Sequence, residues 1–130
     1  MVALLVAPAV AAASGSGGQV WVTNCTKEQY KPRTIVTACG DGSAGVIKLK
    51  WSSWSRTRAA GSGTEVYDTC NPNCAAGKTK HVAATVTLSK PVSCRGRKHR
   101  VFKILTLHFR NQHGPHSTQR IVLGCPIKLG

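Results

Sequence analysis

Acidic residues are the scarcest polar type in this chain: four Asp and Glu stand against eighteen Lys and Arg, for a net charge of +14. All four acids (Glu28, Asp41, Glu65 and Asp68) fall before residue 76, and none follows. So few carboxylates leave little from which to build an acid–base pair for glycoside cleavage. Aromatic residues are also few, with three Trp, two Tyr and two Phe. That restricts the core and removes the interleaved rings expected of a single-strand nucleic-acid reader. No helical period of ten or more residues appears after residue 19. Long hydrophobic runs are absent too: the longest, Val2–Ala13, is broken by Pro8 and is too short to span a bilayer. No nucleophile elbow occurs, and no second Cys or His pair at zinc-site spacing follows the C-x3-C of Cys70 and Cys74.

What is present divides the chain. Residues 2–13 are apolar and lead into Ser14-Gly15-Ser16-Gly17-Gly18. This resembles the hydrophobic region and cleavage zone of a secretory signal, although no basic residue precedes Lys27. Residues 1–19 are therefore read as a signal-like segment and 20–130 as one domain. Six cysteines (Cys25, Cys39, Cys70, Cys74, Cys94 and Cys125) in a small exported chain predict a disulfide framework. Fifteen full pairings are possible, and Cys25 with Cys39 or Cys94 with Cys125 are two unranked pairings among them.

Strand-type patterning dominates. Ile47, Leu49 and Trp51 alternate with Lys48 and Lys50, and Val82, Ala84, Val86 and Leu88 alternate with Ala83, Thr85 and Thr87. Strands are predicted over 19–23, 34–38, 46–51, 64–67, 81–88, 101–110 and 119–123, with a loop over 26–32. A small-residue bend is expected at 59–63, and Pro91 is expected to end its strand. The odd spacing of Trp51 and Trp54 predicts indoles on opposite faces of an unbroken strand. Asp41, in Cys39-Gly40-Asp41-Gly42, reads as a turn residue. The fold expected is all-β, a small disulfide-stabilised antiparallel β-sandwich of Greek-key or Ig-like type.

The motifs Ala38-Cys39-Gly40-Asp41-Gly42, Leu49-x-Trp51-Ser52-Ser53-Trp54, Ala60-Gly61-Ser62-Gly63, Cys70-Asn71-Pro72-Asn73-Cys74-Ala75-Ala76-Gly77 and Val86-x-Leu88-Ser89 occur in that order. Over residues 35–90 the chain resembles a group of small secreted actinobacterial proteins of uncharacterised function. The resemblance implies export from a Gram-positive actinobacterium and no particular activity.

Charge supplies the functional expectation. Residues 76–130 hold eleven of the basic residues and all five histidines. The densest cluster is Arg95, Arg97, Lys98, His99 and Arg100, with Lys103 just beyond. Such a cluster can meet successive phosphates or sulfates. The expected function is a secreted, monomeric, non-enzymatic binding module whose basic half contacts an anionic cell-wall polymer, membrane surface or nucleic acid. The alternative is a secreted inhibitor or effector that engages a protein partner through the loop 68–77 or 111–117. A hydrolase is a third reading, with no catalytic residue to name. His113-Gly114-Pro115-His116 could suit copper or zinc, but no carboxylate or cysteine accompanies it, so neither a metal nor a cofactor is expected.

Overall fold

Val86 and Leu88 point into the core from one long strand, and the rest of the sheet is built outward from it. The computed structural model describes residues 18–110 and 117–127. Among these residues the strands are β1 (Val22–Asn24), β2 (Lys27–Gln29), β3 (Ile35–Val36), β4 (Ala44–Trp54), β5 (Arg58–Asp68), β6 (Thr79–Ser93), β7 (Arg100–Phe109) and β8 (Thr118–Val122). β1 and β2 form a short hairpin. β3 to β8 form one six-stranded antiparallel sheet in which each strand pairs with its neighbour in chain order. The molecule is all-β, antiparallel and sandwich-like, as expected. Its connectivity is a meander, so the Greek-key and Ig-like crossovers do not occur among the described strands.

The sheet curls, and the N-terminal segment spans the opening. Trp21 bridges Val101 in parallel: its amide donates to the Arg100 carbonyl, and its carbonyl accepts from the Phe102 amide. On the far side the Asn24 side chain donates to the Thr34 carbonyl and accepts from the Val36 amide. The first residues thereby tie β7 to β3. Val20, Val22 and Ile35 close the core there and are fully buried, packed with Val46, Leu88, Phe102, Leu105 and Leu107. Each such side chain contributes roughly 1.5–3 kcal/mol on removal from water.

Residues 59–63 correct the expected bend: they lie inside β5. Their smallness serves the curl. Gly61 lies opposite Trp51 on one side and Val86 on the other. A Cβ at Gly61 would run into the Lys50 carbonyl oxygen. At Gly63 it would come within 2.9 Å of both Leu49 Cδ2 and Val46 Cγ1. The missing side chains let β4 bend over β5. Register shifts between Ile47 and Lys50, and between Trp51 and Ser53, turn β4 further, since bulges raise local twist. The second shift also corrects the tryptophan expectation. It inserts one residue, so both indoles face inward, 4.8 Å apart and edge to face.

Two smaller corrections follow from sheet edges. β2 occupies part of the expected 26–32 loop, as the return strand of a hairpin. β6 runs through Pro91 to Ser93 and is the longest strand. β5 stops at Arg58, opposite Ser89, so β6 has an open edge beyond that point, where a residue without an amide is tolerated.

The disulfides are Cys25–Cys39, Cys70–Cys74 and Cys94–Cys125, and no cysteine is free. The first joins the β1–β2 turn to the β3–β4 turn. The third joins the β6–β7 turn to the segment after β8. Three cross-links are consistent with an oxidising environment. Residues 1–17, which hold most of the signal-like segment, lie outside the described residues.

Candidate polyanion-binding surface

The basic cluster forms the turn between β6 and β7. Gly96 supplies a positive φ of 74°, and the Arg97 amide donates to the Cys94 carbonyl. The turn is held at three points. Cys94 is buried and bonded to Cys125. Arg97 Nη1 lies 3.6 Å from Glu28 Oε1, and His99 Nδ1 lies 3.3 Å from Glu28 Oε2. The His99 ring stacks on Trp21, with centroids 4.2 Å apart and planes 16° from parallel. Glu28 comes from β2, and its side chain is only 8% exposed, whereas Arg97 and His99 keep 39% and 40% of theirs in solvent.

The six residues predicted as a polyanion site therefore divide. Arg95, Lys98 and Lys103 are exposed. Arg97 and His99 are exposed in part and turned toward Glu28. Arg100 is half-buried and fixed by its backbone to Trp21. Sequence reading missed Glu28 as the anchor because 71 residues separate it from His99. Its only signal was the scarcity of acids.

The other acids do not offset the cations. Asp41 Oδ1 accepts the Ser43 amide, which holds this exposed carboxyl below its ordinary range. The turn reading of Asp41 thus matches its hydrogen bonding. Asp68 Oδ1 accepts the Cys70 amide. Glu65 is buried on the inner sheet face opposite Val46 and Val82, and burial pushes its pKa up. Among the described residues, the contacts within ion-pair distance are the two made by Glu28, and the one to His99 is an ion pair only when the ring is protonated.

The aromatic rings lie behind the turn. Trp21, Tyr30, Trp54, Trp51 and Phe102 make a continuous series of tilted and edge contacts with centroids between 4.8 and 6.0 Å apart. The Trp51 and Trp54 indole N–H groups donate to the Pro32 and Val20 carbonyls, so both rings pin the first segment to the sheet. An open groove of about 630 Å³ runs past Trp21, Glu28, Tyr30 and Arg33.

Among the described residues, no group of three or more His, Cys, Asp or Glu could hold a metal ion. His113 and His116 lie outside the described residues, as does nearly all of the 111–117 loop. His108 Nδ1 lies 3.0 Å from Thr118 Oγ1 on the open sheet face. Residues 70–76 form an exposed loop, stapled by Cys70–Cys74 and turned by the Ala76 amide donating to Asn73 Oδ1. No protein-family model, curated protein or solved structure matches this chain.

Proposed function

We propose that the protein is an exported, monomeric binding module that holds an anionic polymer or surface through its basic half, without catalysis. One observation carries the reading. The chain bears +14, and among the described residues Arg97 and His99 are the only basic groups within ion-pair distance of an acid. That charge is free to meet a partner. The 94–99 turn supports it, because Cys94–Cys125 and Glu28 hold the turn before a ligand arrives, and a preformed site loses less entropy on binding. Association should be electrostatic and weaken steeply with salt.

The test is retention of residues 20–130 on immobilised heparin under a salt gradient, beside a control protein of equal net charge. Elution well after the control supports the reading. Elution with the control reduces +14 to bulk charge and removes it.

The exposed, disulfide-braced loop 70–76 favours a second reading, an effector that engages a protein partner. Such a contact would survive high salt, and a polyanion contact would not.

A further inference from the structure

Strand register assigns a second surface to this charge. Residues directly opposite in an antiparallel sheet share a face. The inner row Ala59, Leu88 and Leu105 is buried, so the intervening residues form the outer face. Read across β4 to β8, one outer row is Ser53, Ala60, Thr87, Thr106 and Arg120. The next is Lys50, Ser62, Thr85, His108 and Thr118. The row on one side runs from Arg58 and Ser89 into the apolar Ile104, which is buried, and Val122, which is exposed; Arg110 ends the row on the other side, its amide donating to the Ala83 carbonyl.

This face has a definite chemistry. Hydroxyl groups occupy its middle at strand spacing, about 4.8 Å across strands and about 6.7 Å along them. The side chains of Ser62, Thr64, Thr87, Ser89 and Thr106 make no hydrogen bond to another described residue. Lys50, Arg58, Arg110 and Arg120 are exposed around them, with no acid within ion-pair distance among the described residues. The nearest acid on this face is Asp68, at its far end, occupied by the Cys70 amide. Trp, Tyr and Phe are absent from these rows. β6 and β7 run from the basic turn into this face.

We infer that this outer face binds a linear acidic polysaccharide, its sugar hydroxyls meeting the Ser and Thr array and its sulfate, phosphate or carboxylate groups meeting the framing Lys and Arg. The inference rests on the anionic-partner reading above and deepens it. A polymer that is all anion could accept from the hydroxyls but would leave their acceptor oxygens unmatched, whereas a sugar hydroxyl meets both. Single-stranded nucleic acid would want rings to stack on, and these rows carry none.

The test compares two variants of equal charge change. One carries Lys50, Arg58, Arg110 and Arg120 all changed to Gln. The other carries Arg95, Arg97, Lys98 and Arg100 all changed to Gln. A third variant, Thr64→Val with Thr87→Val and Thr106→Val, keeps charge, size and β-branching. Binding to heparin, inorganic polyphosphate and single-stranded DNA is measured by calorimetry at fixed salt. The face variant should lose about tenfold or more in heparin affinity. The threonine variant should lose about three- to tenfold on heparin and less on polyphosphate, whose oxygens can accept from the threonine hydroxyls but offer them no donor. Unchanged heparin binding by the face variant, with loss confined to the turn variant, overturns the face and leaves the anionic reading standing. Equal loss in both charge variants, matching a control protein of the same reduced charge, overturns both. Equal loss by the threonine variant on polyphosphate or DNA overturns the polysaccharide assignment. Melting temperatures of all three variants are recorded, and the charge variants decide the matter if the threonine variant does not fold.

Discussion

Glu28→Gln is the most direct probe of how the basic turn is held. The carboxylate is nearly buried and faces Arg97 at 3.6 Å and His99 at 3.3 Å. Removing one partner of a fully buried ion pair costs about 3–5 kcal/mol, because a charge is left stranded. Here Arg97 and His99 are two-fifths exposed and can turn to water, so the loss falls well short of that. It exceeds the roughly 0–1 kcal/mol of a surface pair, since the carboxylate itself is shielded. The expected cost is about 1–2 kcal/mol, between these limits. For a domain of this size that is a fall in Tm of about 4–10 °C by scanning calorimetry. The same change frees Arg97, so heparin binding should gain up to about one released counterion in its salt dependence. A double-mutant cycle with Arg97→Gln should return a coupling of about 0.5–1 kcal/mol. A Tm within about 1 °C of the parent, with no coupling, would refute Glu28 as the anchor.

Gly61→Val should destabilise by about 3 kcal/mol in urea unfolding, because the added carbons meet the Lys50 backbone at the tightest part of the curl. Changing Cys94 and Cys125 together to Ala opens a cross-link spanning 31 residues. It should cost about 3–4 kcal/mol in the same assay, and a change below about 1 kcal/mol would contradict a constraint of that length. Glu65 has its folded pKa raised by burial. The native state therefore keeps its proton to higher pH than the unfolded chain, and stability is lost as pH rises from the unfolded pKa through the folded one. Glu65→Gln removes that loss, so the variant should be more stable than the parent near neutral pH and equal to it at about pH 3. Equal stability at both pH values would contradict the burial of this carboxylate.

Much of the architecture is local and was therefore legible in the residues. A period of two over Val82–Leu88 makes a strand that buries one face, whatever it pairs with, and Asp41-Gly42 makes a turn within four residues. Six cysteines imply cross-links from count alone. The basic turn is likewise local, because Arg95 to Arg100 are consecutive and Gly96 turns them. What depended on distant partners was not legible. Ala59–Gly63 looked like a bend because small residues have little strand preference, and only the backbone of β4 lying over Gly61 explains them. Trp51 and Trp54 share a face because of a bulge set by pairing with β5, which no spacing within β4 reveals. The Cys94–Cys125 cross-link and the grip of Glu28 on the basic turn join residues far apart in sequence. Composition and local patterning together determined that this would be a cross-linked β protein with a large unbalanced positive charge. The curl of the sheet decided which of those charges are held by an acid and which stand open on its face, because ion pairing depends on distances that only the packed chain sets.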